Sequence, residues 1–208
     1  MFYFVKTPWW LKKIYPSYEW SRPATDKTVY LTFDDGPHPE ATPFVLRQLR
    51  EHEALATFFC IGKNIEAHPG LYQQIQQEGH RVGNHTYSHL NAWKTNNKEY
   101  LTDVARASDL IDSDLFRPPY GRITPFIAKK LPPVMKGQQP RVIMWDVLSA
   151  DFDTGITPQR CLENVIWNIQ PGSIITFHDS AKAFPRLEYA LPRTLIYLRE
   201  QGFISRSL

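Results

Sequence analysis

Val29-Tyr30-Leu31-Thr32-Phe33-Asp34-Asp35-Gly36-Pro37 is the stretch on which the reading of this chain turns. Its apolar run predicts a buried strand, and Gly36-Pro37 ends that strand at once. Two carboxylates therefore stand where a strand enters a loop. Successive strand residues point to opposite faces, but a turn here lets both acids reach one pocket in different roles. One can bind a cation while the other handles protons. Taken alone, Asp-Asp-Gly also suits an ordinary solvated turn. The remaining strand ends decide between the two.

From residue 28 onward, apolar runs alternate with helical patterns. Strands are predicted near 28–33, 55–61, 80–84, 114–117, 141–147 and 173–177, with Phe203-Ile204 as a last short one. Helices are predicted near 40–52, 69–78, 97–112, 124–131, 158–169 and 187–200. Val45, Leu46 and Leu49 share a face of the first, Gly79 ends the second, Pro132-Pro133 stop the fourth, and Pro158 opens the fifth. Residues 131–140 read as a surface loop. Alternating strands and helices predict an α/β fold with a parallel sheet. About seven strands in one domain of this length fit a closed or nearly closed barrel. An open doubly wound sheet is the alternative, and it is weakened by the lack of a Gly-rich loop after the first strand.

The ionisable residues fall at strand ends. Asp34 and Asp35 end the first strand, His85 and His89 follow the third, and Arg117 ends the fourth. Asp146 and Asp151 end or follow the fifth, and His178-Asp179 end the sixth. In an α/β barrel the carboxyl ends of the strands converge on one face, so these residues are expected to meet in one pocket. His85-Thr86-Tyr87-Ser88-His89 has metal-ligand spacing if the segment makes a helical turn. With an Asp from another strand end it makes a His-His-carboxylate set that leaves a position on Zn²⁺ open for water. Asp151 or Asp179 is placed to hydrogen-bond His178, and a protonated His beside such a water suits a general acid. Arg117 can hold a carboxylate by a bidentate contact. Asp153 belongs to the loop, and His38, His52, His68 and His80 are given no chemistry.

Composition narrows the classes of function. The 208 residues are 42% hydrophobic and 22% charged, with a net charge of +3 and no basic run, which argues against nucleic-acid binding. Two cysteines give no disulfide framework, and Cys60 within Thr57-Phe58-Phe59-Cys60-Ile61 is expected as a buried thiol. Residues 1–27 form an arm rich in aromatics: Trp9, Trp10, Tyr15, Tyr18 and Trp20, with Lys12 and Lys13 between them. Phe2-Tyr3-Phe4-Val5 is too short for a signal-peptide core or a membrane span. The arm is expected to pack on the main domain, residues 28–208, without stable membrane insertion, because no sustained amphipathic helix is visible; an interfacial anchor is the alternative. The missing signal favours a cytoplasmic location.

Together these residues resemble the polysaccharide deacetylase family, the NodB-homology or carbohydrate esterase 4 enzymes. The resemblance runs over roughly residues 28–205 and rests on motifs that are specific in combination. Thr32-Phe33-Asp34-Asp35-Gly36, His85-Thr86-Tyr87-Ser88-His89 and Arg117-Pro118-Pro119-Tyr120-Gly121 resemble the first three family motifs. Trp145 through Asp151-Phe152 resembles the fourth, and Thr176-Phe177-His178-Asp179 the fifth. Gly79-His80, Gly83-Asn84 and Ala56-Thr57-Phe58-Phe59 with Ile61-Gly62 are also similar.

The resemblance implies a distorted (β/α)7 barrel and metal-dependent hydrolysis of a carbon–nitrogen bond in an acetylated glycan; a monomer is expected. It implies Asp34 as general base and Asp35, His85 and His89 as ligands of Zn²⁺, with Co²⁺ or Ni²⁺ as alternatives. It also implies His178 as general acid supported by Asp151, Arg117 orienting Asp34, and the Tyr120 N–H on the oxyanion. Substrate contacts are expected from Tyr120, Trp145, Phe152 and Thr176. The sequence departs from the family pattern where Phe152 replaces Trp and Thr176 replaces Leu, both in the acetyl pocket, and where Leu148 replaces a further Asp. Reaction class is thus better defined than substrate. An O-acetyl ester or a non-sugar amide is the alternative substrate, and a non-catalytic metal- or glycan-binding module the alternative of another class.

Overall fold

The computed structural model describes residues 3–208; Met1 and Phe2 of the aromatic arm lie outside the described residues. Seven strands, β1 (Thr28–Asp34), β2 (Ala56–Cys60), β3 (Arg81–Asn84), β4 (Leu115–Phe116), β5 (Arg141–Val142), β6 (Val147–Leu148) and β7 (Ile174–His178), lie in the order β5-β4-β3-β2-β1-β7-β6. All these pairs are parallel, and β8 (Ile204–Ser205) pairs in parallel with the start of β1. β5 and β6 stand at opposite edges of that order yet are joined by residues 143–146 alone, so the sheet must curl until its edges approach. The result is a distorted (β/α)7 barrel in a single domain, and the open doubly wound sheet is set aside.

The predicted strand over 141–147 is two strands. The Ile143 N–H donates to the Phe116 carbonyl (2.8 Å) beside one edge, and the Asp146 N–H donates to the Ile174 carbonyl (2.9 Å) beside the other. Within four residues the backbone changes partner, and no single ladder can span that seam. Glu19 from the arm enters it, donating its N–H to the Val142 carbonyl (2.9 Å) and accepting from the Met144 N–H (2.7 Å).

Among the described residues eight α-helices accompany the sheet: α1 (Trp9–Ile14), α2 (Ala41–Glu51), α3 (Gly62–Ala67), α4 (Pro69–Gln77), α5 (Asn97–Ser108), α6 (Pro125–Val134), α7 (Pro158–Ile166) and α8 (Phe184–Glu200). Val45, Leu46 and Leu49 of α2 are fully buried against the sheet core, as their spacing predicts. Phe33 stacks between Phe58 and Phe177, with ring centroids 5.1 and 6.1 Å away. Each such side chain contributes about 1.5–3 kcal/mol by leaving water. α3, α6 and α8 depart from expectation. α3 is an extra helix with no predicted counterpart. α6 runs through Pro132-Pro133, because proline φ fits the helix and the Met135 N–H still reaches the Leu131 carbonyl at 2.9 Å. α8 starts three residues early, with Pro185 in its first turn.

The arm contains a short helix, α1, that buries no residue. Ahead of it, Lys6 bridges Val147 in antiparallel register, and the Leu148 N–H donates to the Val5 carbonyl at 2.8 Å. Lys6 and Lys12 each place Nζ 2.6 Å from a carboxylate oxygen of Asp146, which is fully buried. Asp146 therefore anchors the arm and does not join the pocket at the strand ends, because two ammonium groups and the Ser173 hydroxyl already satisfy it. Cys60 and Cys161 are buried free thiols. Among the described residues no helix is long and apolar enough to cross a membrane.

Candidate active site

Asp35 follows β1 at φ 79°, a left-handed conformation that turns its carboxylate away from the path of Asp34. Gly36 is required next: a Cβ there would lie 2.1 Å from Asp179 Oδ2, and its N–H donates to Asp179 Oδ1 at 3.1 Å. His85 and His89 converge on Asp35 through a loop after β3. The spacing predicts a helical turn; the backbone instead takes positive φ at Thr86 (65°) and His89 (58°). Asn84 accepts from the Thr86 N–H (2.8 Å), and Asp103 Oδ2 on α5 accepts from the N–H groups of both Tyr87 and Ser88 (2.9 Å each). These side chains supply the hydrogen bonds that a helix would have supplied to itself.

One ligand atom from each of Asp35, His85 and His89 lies within 4.8 Å of the others. Asp35 Oδ1 is buried without a hydrogen-bond partner, 3.2 Å from His89 Nε2 and 3.6 Å from His85 Nε2. His85 Nδ1 lies 2.7 Å from the Arg117 carbonyl, which can only accept, so Nδ1 carries a proton and Nε2 is the nitrogen placed to serve as a metal ligand. A buried carboxylate oxygen facing imidazole lone pairs is unfavourable unless a proton or a metal cation lies between them. The oxygen and two nitrogens suit a divalent ion of the Zn²⁺ class.

Asp34 is buried beside this triad. Arg117, fully buried at the end of β4, donates from Nη1 to Asp34 Oδ1 at 2.7 Å and to Thr32 Oγ1 at 2.8 Å. The expected bidentate contact is not formed. Nε donates to the Ile143 carbonyl (3.2 Å) and Nη2 to the Met144 carbonyl (3.0 Å), so half of the guanidinium fork closes the barrel seam. The Arg117 guanidinium also lies over the Phe59 ring at 4.1 Å.

His178 ends β7 next to Asp34. Asp151 Oδ1 accepts from His178 Nδ1 and Asp151 Oδ2 from the His178 backbone N–H, both at 2.7 Å. Asp151 is therefore the partner; Asp179 instead accepts from Gly36 and from the Thr42 hydroxyl. Burial opposes charge on His178, but the Asp151 carboxylate, with Asp35 and Asp34 beyond it, outweighs that and pushes its pKa up to about 9. With Nδ1 committed to Asp151, the Nε2–H faces the site.

A cavity of about 400 Å³ opens over these groups, lined by Asp34, Asp35, His85, His89 and His178 together with Tyr120, Trp145, Leu148 and Phe152. Tyr120 stands at φ 62° with its ring 4.7 Å from that of His89, and the Gly121 and Arg122 N–H groups close the turn on Pro118 and Pro119. Gly121 is φ-positive, and a Cβ there would come within 2.5 Å of Trp145. Thr176 does not line the cavity: it is fully buried, with its hydroxyl 3.1 Å from that of Thr32. Asp153 lies in the loop but does reach the wall, where it accepts from the Tyr3 hydroxyl (2.7 Å). Tyr3, Arg122, Ser180 and Lys182 also line the cavity without having been singled out from the sequence. Tyr3 belongs to the arm, and only its aromatic richness hinted at a role.

The sequence profile described as polysaccharide deacetylase matches residues 21–132. The chain is 36% identical over 177 residues to a peptidoglycan-N-acetylglucosamine deacetylase of Bacillus cereus, a match covering 82% of this chain and 62% of that protein, so it spans less than two thirds of that relative's length. It is 35% identical over 159 residues to a chitooligosaccharide deacetylase of Azorhizobium caulinodans, covering 73% of each. A crystal structure of a peptidoglycan N-acetylglucosamine deacetylase in complex with 4-naphthalen-1-yl-N-oxidanyl-benzamide superposes with a TM-score of 0.85 at 32% identity, covering 97% of this chain and 95% of that one.

Proposed function

This chain belongs to the polysaccharide deacetylase family, and from that premise we propose that it hydrolyses the acetamide of N-acetylglucosamine units in a peptidoglycan- or chitin-type glycan, releasing acetate and leaving a free amine. The observation that carries this reading is the pairing of a clamped carboxylate, Asp34, with a clamped imidazole, His178, in the one cavity that also holds the Asp35-His85-His89 triad.

A divalent cation held by Asp35, His85 and His89, Zn²⁺ first with Co²⁺ or Ni²⁺ as alternatives, would polarise the acetyl carbonyl and acidify a water molecule. Asp34 accepts the proton of the attacking water, and Arg117 keeps its carboxylate in one orientation while it does so. The Tyr120 N–H donates to the oxygen on which negative charge develops. As the carbon–nitrogen bond breaks, His178 passes its Nε2 proton to the departing amine, and Asp151 holds the ring and stabilises its charged form. Tyr120, Trp145 and Phe152 flank the sugar and its acetamide, whereas Thr176 acts only from behind, through Thr32.

Two results are expected. First, His178 must carry a proton, so kcat falls as pH rises through its pKa. A bound cation offsets the Asp35 contribution, which places this alkaline limb at or below about pH 9. A pH–rate profile for acetate release checks it; a rate still flat beyond about pH 10 would remove His178 as the acid. Second, chelation should abolish acetate release and Zn²⁺ add-back should restore it, measured on N-acetylglucosamine oligomers, peptidoglycan and acetylated xylan in parallel. Acetate from xylan alone would mean an O-acetyl esterase. A zinc-replete protein inert on the whole panel would mean a binding module.

A further inference from the structure

We propose that Tyr3, delivered by the N-terminal arm, is a specificity-determining wall of the cavity that restricts the acyl group to acetyl; the inference rests on the deacetylase reading above. Strand geometry brings Tyr3 there. The arm runs antiparallel to β6, with Lys6 opposite Val147, the Leu148 N–H on the Val5 carbonyl (2.8 Å) and the Thr7 N–H on the Asp146 carbonyl (2.9 Å). Followed toward the N-terminus in this register, the arm passes beside the loop that leaves β6, the loop that carries Asp151, Phe152 and Asp153.

Two contacts hold Tyr3 against that loop. Its hydroxyl donates to Asp153 Oδ2 at 2.7 Å, and its ring meets Phe152 edge-on at 5.5 Å. Phe152 in turn meets His178 edge-on at 5.1 Å, so three rings in series connect the arm to the site. The arm is also held from behind. Lys6 and Lys12 close on the buried Asp146 at 2.6 Å each, which ties the arm to the barrel.

Tyr3, Trp145, Leu148 and Phe152 give the cavity apolar lining beside its charged residues. The methyl group is the apolar part of an acetamide, so this apolar lining is the surface that would receive it. On this proposal the Tyr3 ring, behind and beside Phe152, bounds the space open to a propionyl or butyryl chain.

The test is acyl selectivity on chitotetraose carrying N-acetyl, N-propionyl or N-butyryl groups. Tyr3→Ala should raise kcat/KM for propionyl relative to acetyl by about 10- to 200-fold, the range that one methylene commands in a fitted pocket, and for butyryl relative to acetyl by at least as much. Tyr3→Phe keeps the ring and should keep the wild-type ratio. An unchanged ratio in Tyr3→Ala, with the wild-type melting temperature retained, overturns the proposal. Calorimetric binding of butyrate against acetate to the zinc-loaded protein gives a readout without turnover, and Tyr3→Ala should shift it the same way. If the wild-type protein releases no acyl group at all, the deacetylase reading fails first, and the binding ratio still decides whether Tyr3 bounds the cavity.

Discussion

Asp34→Asn is expected to lower acetate release by about 10²- to 10⁴-fold, the span that loss of a positioned general base produces. The exchange keeps the shape of the side chain, and its amide oxygen can still accept from Arg117 Nη1, now 2.7 Å from the carboxylate. What it removes is the capacity to take a proton. Asp35, His85 and His89 are untouched, so Zn²⁺ titration by calorimetry should give an affinity within a few-fold of wild type. The two measurements together separate a lost base from a lost metal site. Near-wild-type turnover in Asp34→Asn would assign the proton to another group.

Arg117→Met should produce the second large effect, on stability as well as rate. Met keeps an unbranched apolar stem but is shorter and lacks the guanidinium, so the main lesion is the loss of its charge and donors. Asp34 is left in the interior without its partner, and the Ile143 and Met144 carbonyls lose their donors at the seam between β5 and β6. Removing one member of a buried pair costs about 3–5 kcal/mol. That is a large share of the roughly 5–15 kcal/mol that holds a typical domain together. Urea denaturation should show a lower midpoint, and turnover should fall because Asp34 is no longer oriented. The double variant Asp34→Asn/Arg117→Met should lose less stability than the sum of the single variants, since no buried charge then stands alone. A loss below about 1 kcal/mol in Arg117→Met would place the pair with exposed ion pairs.

Much of the fold was legible because its strands are short apolar runs punctuated by Gly, Pro and Asp. β1, β2 and β7 fall where Val29–Phe33, Thr57–Ile61 and Ser173–Phe177 predict them, within a residue or two. The strand over 141–147 was not legible in detail. Its composition is uniformly suitable for a strand, and the break arises from a change of hydrogen-bonding partner, which no local pattern records. The loop bearing His85 and His89 was misread for a related reason. Its shape depends on Asp103, which lies 14 residues beyond His89 and packs alongside only in the folded chain. Asp146 and Asp179 show the limit of reasoning from strand ends. Both stand at strand ends, yet one is satisfied by lysines from the arm and the other by Gly36 and Thr42.

The sequence by itself determined the alternating α/β architecture and the set of acids and imidazoles at its strand ends, because apolar period and chain breakers are local properties. Tertiary structure alone decided which of those polar groups share a cavity. It turned Asp34 and Asp35, neighbours in the chain, to different partners by a positive φ at Asp35. It spread the Arg117 fork between Asp34 and the barrel seam. It also carried Tyr3 to a wall formed some 150 residues later. These outcomes depend on which long-range hydrogen bonds and ion pairs can be satisfied together once water is excluded, and that is a property of the closed barrel as a whole.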